Sequence, residues 1–98
     1  MLEPAKISEI AGAVARAKLS PHVVSEVLAE ATTDSEGDEA LRVTIVLEPG
    51  AAKTLKGDSV LDTLVQIQDR LREAGEDRFA VVEYATQDEL KTGGDSQS

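Results

Sequence analysis

The sequence predicts an α+β fold, a small single domain in which two helices pack on a three-stranded mixed sheet in the order α-β-β-α-β. Apolar residues alternate with polar ones where strands are expected, and recur every three or four positions where helices are expected. Residues 39–86 read as strand, helix and strand in turn, and such a unit forms a right-handed crossover with parallel strands in nearly all known proteins. The chain of 98 residues has room for one domain.

The first helix is predicted at Pro4 to Leu19. Proline is well placed in the first turn, where its missing N–H would have had no partner. The apolar stripe is narrow and consists of Ile7, Ile10, Ala11, Val14 and Ala17. Gly12 and the many alanines make this stripe shallow, so we expect close packing on the chain's own sheet. The alternative is that the small residues meet a second copy in a dimer.

Residues 21–33 fit two interpretations. As a helix, the segment would have one apolar face behind a favourable start at Ser20-Pro21. As a strand, it would form a hairpin with the next segment through the turn sequence 34–38. The β-branched pair Thr32-Thr33 favours the strand, and a third strand would stabilise a sheet that otherwise has only two. We therefore predict a strand.

The second strand and the second helix are the clearest elements. The strand is predicted at Leu41 to Glu48, where an apolar set alternates with a mixed set until a Pro-Gly pair ends it. The helix is predicted at Ser59 to Ala74, with Asp58 or Ser59 as its N-cap and Gly75 just beyond its end. Its apolar stripe consists of Val60, Leu64, Ile67 and Leu71, widened by Leu61 and Val65.

The last strand is predicted at Arg78 to Thr86 and is apolar on both of its faces. Such a strand is more often covered on both sides than left as a free edge. If both helices cover one side of the sheet, the other side retains an exposed apolar patch, and patches of that kind mark association. The predicted interaction surface consists of Val46, Val82, Tyr84, Val24 and Leu28. The alternative is that one helix covers each face.

The domain is predicted to span residues 1–90. Beyond residue 90 the apolar periodicity is lost, and the last residues are glycine, aspartate, serine and glutamine. Because these side chains have nothing apolar to bury, we expect residues 91–98 to form a disordered tail.

The net charge of −9 restricts the classes of partner. Affinity for nucleic acids depends on phosphate contacts, and the sequence offers no basic stripe or aromatic platform for them. The same charge argues against an anionic membrane surface. Residues 21–50 carry one arginine against seven acidic residues, which favours a basic protein as partner.

The location expected for the chain is the cytoplasm. No cysteine is present, so disulfides and thiolate metal sites are excluded. No apolar run approaches the roughly 20 residues of a membrane span. Glu3 and Pro4 stand where a signal peptide would have a basic region.

The connection from Pro49 to Ser59 is the candidate ligand site. It joins the carboxyl end of a strand to the start of a helix, a position at which α/β folds bind anions. Its candidate anion-binding residues are Lys53, Lys56 and Ser59. A Walker A loop needs Gly directly before its Lys, where this chain has Ala52, so no nucleotide loop is predicted. An ordinary flexible connection is the alternative.

No catalytic site, metal site or cofactor is predicted. His22 is the single histidine, and nothing indicates that a nucleophile and an orienting group converge on it. The acidic turn at residues 34–39 lacks the spacing of a calcium loop and is expected to be a solvated hairpin tip.

Three functional hypotheses follow. The first is a non-enzymatic acidic α/β protein-interaction module that self-associates, for example as a homodimer, or is an accessory subunit of a larger assembly. The second is an acidic inhibitor, antitoxin-like in its role, that binds a basic partner. The third is a small ligand-binding or regulatory domain that uses the loop at residues 50–59.

Overall fold

The computed structural model describes residues 2–86 and confirms the predicted α-β-β-α-β order. The elements are α1 (Pro4–Leu19), β1 (Val24–Thr33), β2 (Glu39–Leu47), α2 (Gly57–Glu73) and β3 (Phe79–Thr86). A short 3₁₀ helix, Ala51–Thr54, lies between β2 and α2. The tail predicted at residues 91–98 lies outside the described residues.

The three strands form one mixed sheet in the order β1-β2-β3. β1 runs antiparallel to β2, with Val27 opposite Ile45 and Ala31 opposite Leu41. β3 is parallel to β2, as expected for a crossover through α2. Residues 24–33 are therefore extended, which confirms the strand interpretation of that segment.

Both helices pack on the same face of the sheet. The buried core contains side chains from α1, α2 and the strands, and its strand members alternate along β2. These core residues are Ile7, Ala11, Val14, Ala15, Val24, Leu41, Val43, Ile45, Leu47, Ile67, Leu71 and Ala80. The molecule therefore has two layers, and no described helix covers the second face of the sheet.

The two ends of α2 are formed differently. The helix begins at Gly57 behind Lys56, and no side-chain hydrogen bond caps it, so the predicted N-cap at Asp58 or Ser59 is wrong. At the other end, the Gly75 N–H donates to the Arg72 carbonyl at 3.0 Å and the Glu76 N–H to the Leu71 carbonyl at 2.9 Å. Gly75 has φ +97°, so this is the glycine-terminated helix end that the sequence predicts.

The apolar stripe of α2 is narrower than predicted. The fully buried residues of the helix are Thr63, Ile67 and Leu71, of which only Ile67 and Leu71 belong to the predicted stripe. Leu61 and Val65 are 62% and 53% exposed because they lie roughly 100° or more around the helix axis from the centre of that line. They do not widen the buried stripe, and they leave an apolar pair on the solvent side of the helix.

A buried ion pair joins the start of the chain to the turn before β3. Arg78 donates to Glu76 from Nε at 2.9 Å and from Nη2 at 3.1 Å. The Leu2 N–H donates to Glu76 at 2.7 Å, and Arg78 donates to the Leu2 carbonyl at 3.1 Å. The hydrogen bonds from Arg78, with those from the Leu2 and Arg78 N–H groups, lower the pKa of Glu76 from 4.5 to about 2 despite its burial.

This pair makes stability depend on pH in a defined window. A carboxyl whose pKa is lower in the folded state stabilises that state above its unfolded pKa, here 4.5, and the contribution is lost as pH falls toward about 2. Glu76→Gln should lower the free energy of unfolding near neutral pH by about 1–3 kcal/mol. Urea titrations over a range of pH should show this difference shrinking once the pH is below 4.5.

The matched control is Glu73→Gln, which removes the same charge from an exposed position at the end of α2. It should change the free energy of unfolding little at any pH. A pH-independent loss in Glu76→Gln would contradict the role given to the ion pair.

Candidate interaction face

The face of the sheet turned away from the helices is the candidate interaction surface. We call it the outer face and define it by strand alternation and register, which arrange its side chains in four rows across the sheet. The rows are Thr32, Ala40 and Phe79; Glu30, Arg42 and Val81; Leu28, Thr44 and Glu83; and Glu26, Val46 and Ala85.

The structure divides the five residues of the predicted interaction surface between the two faces. Val24 belongs to the core, and Val82 and Tyr84 pack against it beneath the helices. The Tyr84 hydroxyl donates to the Val60 carbonyl of α2 at 3.4 Å, and burial raises its pKa. Leu28 and Val46 lie on the outer face, but Val46 is only 1% exposed. Leu28 is thus the one member of the predicted set that is both on the outer face and exposed.

The sequence prediction missed the two main apolar side chains of the outer face. Phe79 is 64% exposed and Val81 is 40% exposed, and Leu28 at 47% completes the apolar set. Phe79 and Val81 are two positions apart on β3, at one edge of the sheet, whereas Leu28 lies on β1 at the other. The predicted surface contains the opposite alternation of β3, Val82 and Tyr84, which packs beneath the helices.

The centre of the outer face is charged. Arg42 on β2 lies 3.4 Å from Glu30 on β1 and 3.6 Å from Glu83 on β3, measured between the closest nitrogen and oxygen atoms. All three side chains are about half exposed, from 46% to 63%, so these ion pairs are weak. A shallow groove beside them is lined by Leu28, Ala29, Glu30, Arg42 and Thr44.

A side chain of α2 occupies part of the outer edge of β3. The Gln68 amide donates to the Ala80 carbonyl, and the Ala80 N–H donates back to Gln68 Oε1 at 3.3 Å. The carboxamide therefore makes the two bonds that a neighbouring strand would make with this residue. Backbone N–H and C=O groups of alternate residues point to the same edge of a strand, so those of Val82 and Tyr84 point to the same edge as those of Ala80.

We expect Gln68→Leu to remove this contact, because an apolar side chain of similar size can neither accept from the Ala80 N–H nor donate to its carbonyl oxygen. Hydrogen exchange of the Ala80 amide should accelerate about tenfold, which corresponds to roughly 1.4 kcal/mol in the local opening equilibrium. The amide of Ala85 belongs to the opposite alternation and serves as the internal control. Equal acceleration at both amides would indicate general destabilisation and contradict a local cap.

The loop residues predicted to bind an anion are only partly brought together. Lys56 and Ser59 line one cavity, to which α1 contributes Lys18, and Lys53 is exposed in the 3₁₀ helix outside that lining. Lys18 lies 2.8 Å from Asp62, so its charge already has a partner. Lys18 is not among the predicted residues because it is far from this loop in the sequence. Anion binding by the loop stays a prediction.

The acidic turn is a hairpin tip whose first carboxylate is used internally. Asp34 Oδ1 accepts from the backbone N–H groups of Glu36 and Asp38, each at 2.9 Å. His22 is exposed, and its backbone N–H donates to Ser20 Oγ at 3.1 Å. Among residues 2–86, no cluster of three or more histidine, aspartate or glutamate side chains has the arrangement of a metal site.

No helix within the described part of the chain has both the length and the apolar character that crossing a membrane requires. No protein-family model matches this sequence. No curated protein matches it either.

Proposed function

We propose that this chain is a non-enzymatic protein-interaction module that binds through its outer face, either to a second copy or as an accessory subunit of a larger assembly. It works in the cytoplasm, with which the absence of cysteine is compatible. The residues that carry binding are Leu28, Phe79 and Val81. The role of the fold is to hold these side chains on a rigid sheet rather than on a loop.

One observation carries the proposal. Phe79, Leu28 and Val81 are 64%, 47% and 40% exposed on a face that neither helix covers. Single exposed apolar residues are ordinary, but a large aromatic beside an aliphatic residue on one sheet edge, with a third across the sheet, is typical of association surfaces. Aromatic anchors of this kind contribute much of the energy of protein interfaces.

The chain offers a matched pair of substitutions to test this function. Phe79→Asp and Leu61→Asp each place a charge at an apolar residue that is 64% or 62% exposed, on the outer face and on α2 respectively. We expect Phe79→Asp to weaken self-association or partner capture at least about tenfold, because loss of an aromatic anchor commonly costs more than 1.4 kcal/mol. Leu61→Asp should bind as the parent protein does.

The measurements are sedimentation velocity for self-association and affinity capture from a lysate of the source cells for other partners. Thermal unfolding of both variants verifies that the fold is retained. The proposal is wrong if Phe79→Asp binds like the parent protein, or if Leu61→Asp loses binding to the same degree.

A further inference from the structure

We propose that the occupant of the outer face is a basic amphipathic helix of another protein, and not a second copy of this chain. The inference rests on the proposed function and adds the chemistry of the partner. Three properties of the outer face carry it, namely its charge balance, the positions of its apolar side chains and its width.

The outer face has an excess of negative charge that its own residues do not neutralise. It carries three carboxylates, Glu26, Glu30 and Glu83, and one guanidinium, Arg42. Arg42 is shared between Glu30 and Glu83 at 3.4 and 3.6 Å, and a carboxylate has more acceptor sites than one such contact uses. Glu26 makes no ion pair within the described part of the chain. The face can therefore accept further positive charge.

A second copy is a poor match for this charge. If two outer faces were in contact, each chain would contribute three carboxylates and one guanidinium to the interface. Each chain also has a net charge of −9. Like charges placed across an interface select strongly against a partner. Lysine or arginine side chains would instead pair with carboxylates that are already on the surface. An anionic lipid surface is disfavoured for the same reason as a second copy.

The exposed apolar side chains lie next to carboxylates, so a partner whose apolar and basic residues alternate could contact both. Leu28 stands between Glu26 and Glu30 along the same face of β1. On β3, Phe79 and Val81 lead to Glu83 on the same face. Each edge strand thus presents apolar surface next to a carboxylate, which complements apolar residues that are flanked by basic ones.

The width of the face fits one helix. Neighbouring strands are about 4.8 Å apart, so β1 and β3 are separated by roughly 10 Å across the sheet, which is close to the diameter of an α-helix with its side chains. Along the strands, Leu28 is offset from Val81 by one row and from Phe79 by two, so a helix that follows β2 passes each of them in turn. A helix above β2 would touch Leu28 on one flank and Phe79 with Val81 on the other. Its basic residues would then reach Glu30 and Glu83 beside the groove.

The test uses a defined probe, a synthetic helix of about eighteen residues made only of leucine and lysine, with a leucine and glutamate peptide of the same pattern as its counterpart. Binding of the full chain is measured by fluorescence anisotropy, and amide shifts locate the contact. We expect the lysine peptide to bind, the glutamate peptide not to bind, and affinity to fall as salt rises from about 0.05 M to about 0.5 M. The shifts should concentrate at Leu28, Arg42 and Val81.

Two charge-matched double variants make the test specific. Glu30→Gln with Glu83→Gln should weaken binding of the lysine peptide about threefold to tenfold, because two partly exposed ion pairs are lost. Glu9→Gln with Glu73→Gln removes the same charge from exposed positions on the helices and should leave affinity unchanged. Equal weakening in both variants, or shifts confined to the hairpin tip at residues 34–38, would overturn the inference.

The outcomes also separate this inference from the proposed function. If the lysine peptide does not bind while the chain forms dimers that Phe79→Asp dissociates, the occupant is a second copy, so the inference is wrong and the function stands. If Phe79→Asp leaves self-association unchanged, and Phe79→Ser, which removes the ring without adding charge, leaves binding of the lysine peptide unchanged, the function is wrong as well.

Discussion

The pairing of β2 on both of its edges is the constraint on which the rest of the structure depends. Its alternate residues Leu41, Val43, Ile45 and Leu47 are all buried beneath the helices. Through the register, they determine which side chains of β1 and β3 turn inward and which turn outward. Two short helices are sufficient for one face only. The same pairing that builds the core therefore leaves Leu28, Phe79, Val81 and the acidic side chains of the outer face exposed.

Local pattern was sufficient to predict the elements, because periodicity and turn chemistry are properties of neighbouring residues. It predicted β1, β2 and the glycine-terminated end of α2. It could not decide which face of β3 is covered, since Phe79 and Val81 are as apolar as Ala80 and Val82. That choice depends on the register between β3 and β2, which the crossover sets and no local residue signals. The sequence therefore predicts an apolar surface on the uncovered face of the sheet but assigns Val82 and Tyr84 to it in place of Phe79 and Val81.

Three contacts that the sequence did not indicate join residues at least 12 positions apart in the chain. Glu76 bonds to the Leu2 N–H, and Lys18 of α1 pairs with Asp62 of α2. A glutamine within a helix normally suggests a solvated side chain, yet Gln68 bonds to the backbone of β3. Polar residues of this kind acquire their roles only after the elements have packed, because their partners belong to other elements.

The contact between Gln68 and Ala80 has a consequence for how copies of this chain could aggregate. Joining β1 of one molecule to β3 of the next is a head-to-tail contact, and repeated steps of that type produce filaments when they do not close into a ring. A helix side chain that already satisfies a backbone position on β3 obstructs every such step. Open-ended polymerisation through this edge is thereby disfavoured, although the edge strand itself is rich in valine and aromatic residues.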